Sequence, residues 1–220
     1  MVNLLIFDCD GVLVDSEILA VRAEAQVLSE VGFPMTEDEI ASTCVGLSYP
    51  DMMALLEERF GKPVPVGLEE RIQKEAVAAF PTELREIPGI TELLVGSDMA
   101  RCVASSGTPE RIGLSLSITG LDACFAPETI FSSKFVAVGK PAPDLFLFAA
   151  EQMGVAPEEC LVVEDSPHGI TAARSAGMLA VGLTAGRHMR PNTIERLSAA
   201  GAHHIVPDVE ALRELISSVA

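Results

Sequence analysis

Asp8 and Asp10 stand two residues apart at the end of an apolar run, Val2 to Phe7, interrupted only by Asn3. Such a run reads as a buried strand, and alternation along an extended backbone puts both acids on one side if that geometry continues past Phe7. Two carboxylates that close repel unless a cation, a proton or a basic group sits between them. Gly11 then lets the backbone turn where a side chain would be in the way. Three later stretches hold groups suited to phosphate chemistry. In Val103-Ala104-Ser105-Ser106-Gly107-Thr108-Pro109, a hydroxyl precedes free backbone N–H groups entering a helix, a good seat for phosphoryl oxygens. In Gly139-Lys140-Pro141-Ala142-Pro143-Asp144, an ammonium can neutralise a carboxylate and the phosphoryl group it attacks. Val162-Val163-Glu164-Asp165-Ser166-Pro167-His168-Gly169 ends a strand in two more acids, costly to bring beside Asp8 and Asp10 without a cation. Taken singly, each has an ordinary alternative: a Ser-rich turn capped by Thr108, a solvated lysine, and acids favoured by a helix dipole.

The elements that must position these groups alternate. From Glu17 the pattern is helical, with Ile18, Val21, Ala25 and Leu28 on one stripe and Gly32 after the end. Thr36 and Glu39 form a capping-box signature for a second helix, Pro50 opens a third ending at Gly61, and a fourth runs roughly over 67–79 until Pro81 stops it. No strand is expected between Asp15 and Pro81, so a block of helices interrupts an α/β core. After Pro88-Gly89 the pattern is a helix at Ile90 to Val95, a strand at Cys102 to Ala104 and a helix from Thr108-Pro109. A helix after Pro143, a strand at Leu161 to Val163 and a helix from Ser166-Pro167 follow. Leu179 to Leu183, a helix after Pro191, Ile205-Val206 and a helix from Val209 complete it. Strands alternating with helices predict a parallel, doubly wound sheet whose ligands bind beyond the carboxyl ends of the strands.

The stretch Phe7-Asp8-Cys9-Asp10-Gly11-Val12-Leu13-Val14-Asp15-Ser16 closely resembles the first motif of the haloacid dehalogenase superfamily, and the three later stretches resemble its serine, lysine and acidic motifs in family order. The resemblance implies a Rossmann-like α/β core over 1–14 and 83–220, with an inserted α-helical cap over 15–82. That small cap, placed directly after the first motif, is the arrangement of the β-phosphoglucomutase and phosphoglycolate phosphatase branch. By resemblance Asp8 is the nucleophile, Asp10 the general acid/base, Lys140 the charge-neutralising lysine, and Ser105 with Ser106 the phosphate-binding turn. Asp8, the Asp10 backbone carbonyl and Asp165 would be direct ligands of Mg²⁺, a hard ion that prefers oxygen, with Glu164 direct or through water. Lys134 lacks the proline flanks of Lys140, and Asp144 reads as a helix-start residue. Within the cap, Gly46, Leu47, Ser48 and Tyr49 resemble the substrate-facing loop.

The reaction so implied is a phosphatase acting on small sugar or polyol phosphates through an aspartyl phosphate. Two departures shape this expectation. Mutases of the branch carry a basic residue directly after the loop serine, where this chain has Tyr49, and a neutral phenol cannot hold a second phosphate; a β-phosphoglucomutase-type reaction is therefore the alternative. Phosphoglycolate phosphatases commonly show Thr-Asn where Ser105-Ser106 stands. A phosphorylated receiver-like signalling module also joins acids, a lysine and a hydroxyl, but is about half this length and lacks the helical block. A haloalkanoate dehalogenase would need neither Asp10 nor the acidic pair at 164–165.

The 220 residues suffice for one large α/β core with an insert. Fifteen basic against 32 acidic residues give a net charge of −17, which opposes unspecific binding to nucleic acid or anionic membranes and makes a phosphate site depend on local groups and metal. Cysteines at 9, 44, 102, 124 and 160 have no ligand-like spacing and read as reduced thiols, Cys9 packing away from the acids. His203-His204 lacks i, i+4 spacing and reads as exposed. No signal peptide or membrane span is indicated. The expected protein is cytoplasmic and monomeric, its partner a small phosphorylated metabolite.

Overall fold

A computed structural model describes residues 1–44, 47 and 49–220. Six parallel strands form one sheet in the order β3-β2-β1-β4-β5-β6: β1 (Leu4–Phe7), β2 (Ala100–Ser105), β3 (Ile130–Ser132), β4 (Cys160–Glu164), β5 (Leu179–Leu183) and β6 (His204–Val206). The order reverses around β1, which pairs with β2 on one side and β4 on the other. The crevice beyond its carboxyl end is thus the topological switch point where ligands of such sheets bind.

Alternation along each strand divides the core. Leu5, Phe7, Val103, Leu161 and Val163 belong to a cluster on one face, while Leu4, Ile6, Cys102, Ala104, Cys160 and Val162 belong to another. All four residues of β1 are buried, as expected of a strand covered on both sides. The unforeseen element here is β3, only three residues long at the sheet edge and without a readable alternation.

Between β1 and β2 come α1 (Glu17–Glu30), α2 (Glu37–Thr43), α3 (Tyr49–Phe60), α4 (Leu68–Ala78), α5 (Phe80–Glu83) and α6 (Ile90–Val95). Val21, Leu28, Phe33, Ile40, Leu56, Leu68 and Ile72 form a separate cluster that holds the first four helices together. α2 carries the expected capping box, Thr36 accepting from Glu39 N while Glu39 reaches back. Pro81 does not end helical structure: it lies near the start of α5, where a missing N–H costs nothing. The segments leaving and re-entering the sheet run side by side, with Asp15 N donating to Arg85 O and Ile87 N to Leu13 O, each at 2.9 Å.

The rest of the chain packs α7 (Pro109–Thr119), α8 (Asp144–Met153), α9 (Pro167–Ser175), α10 (Thr193–Ala199) and α11 (Val209–Val219) around the sheet. Thr108 caps α7 and Ser166 caps α9 through their side chains.

Candidate active site

Three strand ends converge. β1 delivers Asp8, β2 ends on Ser105 and β4 ends on Glu164 followed by Asp165; all four side chains are buried. Lys140 enters from the loop before α8, its side chain 5% exposed, and donates to Asp8 Oδ1 at 2.8 Å, Glu164 Oε1 at 2.6 Å and the Ala104 carbonyl at 3.0 Å. All three protons of the ammonium are thus satisfied. Burial works against its charge, but the two carboxylates outweigh it and raise its pKa.

Glu164 is fully enclosed. Its Oε2 accepts from the N–H groups of Asp165 and Ser166, each at 3.1 Å, and from Ser166 Oγ at 2.9 Å. Gly169 makes room for it, since a Cβ there would fall 1.9 Å from the Glu164 carboxyl. Gly11, with φ +75°, similarly leaves space for Asp165, whose Oδ2 would lie 1.8 Å from a Cβ.

One carboxylate oxygen from each of Asp8, Glu164 and Asp165 lies within 4.8 Å of the others. Burial, opposed by Lys140 and reinforced by Glu164, Asp165 and Asp10, pushes the Asp8 carboxyl well above the usual range. Burial also raises Asp165, against His188. Buried hard-oxygen donors that resist ionising together fit a divalent cation. Asp8 and Asp165 thus fit a divalent cation, while Glu164 is already engaged by Lys140 and three other donors.

Asp10 lies apart from Lys140. Its Oδ1 accepts from Ser16 Oγ at 2.5 Å and from Arg111 Nη2 at 2.9 Å. Arg111 lies in the first turn of α7, with its guanidinium 5.9 Å from the centre of the Phe80 ring. Neither partner was evident as such from sequence: Ser16 lies inside the first motif as an ordinary hydroxyl, and Arg111 reads as a surface residue of a helix start. Ser105 Oγ accepts from Gly107 N at 3.2 Å at the entry to α7, whereas the side chain of Ser106 is exposed. Of the loop expected to face substrate, Gly46 and Ser48 lie outside the described residues, Leu47 is exposed, and Tyr49 opens α3 half-buried. Tyr49 interacts electrostatically with Glu24, Glu69, Arg111 and Glu17. Burial raises the phenol, and burial with Asp10 and Asp165 pushes Glu17 up to about 7. Glu24 is raised to about 8 by burial and by Glu17.

Residues 5–183 match the model of the haloacid dehalogenase-like hydrolases. The chain belongs to that family. It is 30% identical over 84% of its length to a 6-phosphogluconate phosphatase of Escherichia coli, of which it covers 84%. A phosphorylated carbohydrates phosphatase of Thermotoga maritima is 33% identical over 79% of this chain and 81% of its own. Among solved structures, a haloacid dehalogenase-like protein of unknown function from Agrobacterium tumefaciens superposes with a TM-score of 0.92, at 35% identity and 99% coverage of both chains. The chain is thus a phosphatase-type hydrolase of this family on the expected Rossmann-like scaffold. Among the described residues no helix is long and apolar enough to cross a membrane.

Proposed function

We propose that the protein is a Mg²⁺-dependent phosphatase of small phosphorylated carbohydrates, working through an aspartyl phosphate on Asp8. The observation that carries this reading is the buried Lys140 ammonium joining Asp8 to Glu164 beside the Ser105 turn. A phosphoryl group seated there meets the lysine, the serine hydroxyl and the N–H groups at the start of α7. The cation, held by Asp8 and Asp165 with the Asp10 carbonyl, would supply positive charge that ionises Asp8 and offsets phosphoryl charge.

Asp8 attacks phosphorus, the ester P–O bond breaks, and the leaving alkoxide takes a proton from Asp10. Water then attacks the acyl phosphate, passes a proton to Asp10, and releases inorganic phosphate with Asp8 restored. Ser16 and Arg111 both hold Oδ1 of Asp10, leaving Oδ2 as the oxygen that exchanges this proton. The helical block over 15–82 acts as the cap, its paired connections at Asp15 and Arg85 serving as the hinge. Glu17, Glu24 and Tyr49 offer hydrogen-bonding groups to sugar or polyol hydroxyls but no cation for a second phosphate, which favours hydrolysis over the mutase reaction.

The test is phosphate release across sugar, polyol and short-acid phosphates, with Mg²⁺ and with chelator, for wild type and Asp8→Asn. Turnover that needs Mg²⁺ and is lost in the variant is expected. Interconversion of sugar phosphates with a bisphosphate primer, and no hydrolysis, would overturn the reading.

A further inference from the structure

The loop between β5 and α10 brings a side chain to the acidic centre that none of the motifs includes. His188, 5% exposed, places Nε2 3.0 Å from Asp165 Oδ2. Its Nδ1 is buried with no hydrogen-bond partner among the described residues, so Asp165 is the single polar contact of the ring. Two glycines clear the space. A Cβ on Gly11 would approach the ring at 3.1 Å, and one on Gly186 would meet Cε1 at 2.6 Å and Nδ1 at 2.7 Å. Gly186 does not have a positive φ, so its backbone would accept alanine, and what forbids the methyl is the imidazole.

The loop is fixed on both sides of His188. Arg187 N donates to the buried Asp15 Oδ1 at 3.1 Å, and its guanidinium also binds Asp15. Arg190 Nη1 bonds the carbonyls of Arg187, His188 and Met189 at 3.3, 3.1 and 3.0 Å. A carboxylate with one oxygen held by a rigid N–H donor presents the other in a fixed direction, and such outer contacts tune metal affinity. We propose that His188 is a positioning residue, holding Asp165 in the orientation that binds the divalent cation. The inference rests on the metal-dependent reading above.

The experiment titrates Mn²⁺ as probe into the substrate-free protein, with free ion followed by electron paramagnetic resonance and thermal midpoints recorded beside it. His188→Ala is expected to weaken Mn²⁺ binding about 10–100-fold, and the Mg²⁺ concentration for half-maximal phosphate release should rise by a similar factor while the ester KM holds. His188→Gln, which restores an N–H donor, should recover most of the affinity. Gly186→Ala should weaken binding as His188→Ala does and add nothing in the His188→Ala background, because the ring it displaces is already gone. Wild-type affinity in a folded His188→Ala protein would overturn the inference alone. Equal losses in His188→Ala and His188→Gln, with Gly186→Ala additive, would also overturn it, since that is the behaviour of packing. A wild-type protein that binds no Mn²⁺ at all would overturn the metal reading itself.

Discussion

Replacing Lys140 by Met tests the centre directly, because methionine keeps most of the volume and removes the charge. The side chain is 5% exposed and its ammonium lies 2.8 Å from Asp8 and 2.6 Å from Glu164, so its loss leaves two buried carboxylates facing each other. Breaking a buried pair in this way costs about 3–5 kcal/mol. For a chain of this size that corresponds to a fall in melting temperature of roughly 6–20 °C. The loss should be greatest in chelator, since a divalent cation replaces part of the missing charge. Removing one preorganised electrostatic group also slows turnover by about 10²–10³-fold. Arginine should not rescue, because a planar fork cannot donate in three directions at 2.6, 2.8 and 3.0 Å. Thermal melts with and without Mg²⁺, together with steady-state phosphate release, measure both effects. A Lys140→Met protein with kcat within threefold of wild type and an unchanged midpoint in chelator would refute the assigned role.

Glu24, whose folded carboxyl titrates near 8 against an ordinary 4.5, binds its proton more tightly folded than unfolded, so its ionisation subtracts stability as pH rises between those values. Glu24→Gln should therefore stabilise the protein at pH 9, with a ceiling of about 5 kcal/mol that partial solvation reduces to about 1–2, and give no such gain at pH 4.5; urea melts showing equal gains at both would contradict the assignment. Arg111→Met should lower kcat about 10–100-fold with little change in KM, the worth of a hydrogen bond to a charged group, and a rise confined to KM would instead make Arg111 a substrate ligand. Tyr49→Phe should change the ranking of polyol phosphates by about 1 kcal/mol, roughly fivefold, and an unaltered ranking would exclude the phenol from substrate contact.

The core was legible because its information is local. An apolar run ending in Asp8 and Asp10 specifies a buried strand with acids at its carboxyl end, and Thr108-Pro109 and Ser166-Pro167 announce helix starts that the caps bear out. What escaped sequence reasoning depends on contacts distant along the chain. Glu164 reads as half of an acidic pair, yet its burial and four donors follow from β4 lying beside β1 and from a glycine on α9. Arg111 and His188 reach the centre from a helix surface and a loop, and neither residue type nor spacing marks them out. β3 gave no signal, because a three-residue strand has too little pattern to read. The roles assigned to Asp8, Asp10, Lys140 and Ser105 remain proposals whose support is the convergence of those side chains.

The same contrast explains why family membership does not name a substrate. On the proposed reading the phosphate end is built where β1, β2 and β4 end, with Asp8 and Ser105 carried by the strands and Lys140 brought in by the loop before α8. The leaving group, on the same reading, faces Glu17 and Glu24 of α1 and Tyr49 of α3, of which Tyr49 packs against the separate apolar cluster of the first four helices. Burial pushes Glu17 up to about 7 and Glu24 up to about 8 and raises the Tyr49 phenol, so the uncharged forms of these groups are favoured relative to exposed ones. On the proposed reading such groups, able both to donate and to accept when protonated, suit a polyhydroxy leaving group, while Arg111, the cation beside them, is already committed to Asp10. On the proposed reading, discrimination among carbohydrate phosphates therefore changes with these three side chains, independently of the machinery that breaks the ester bond.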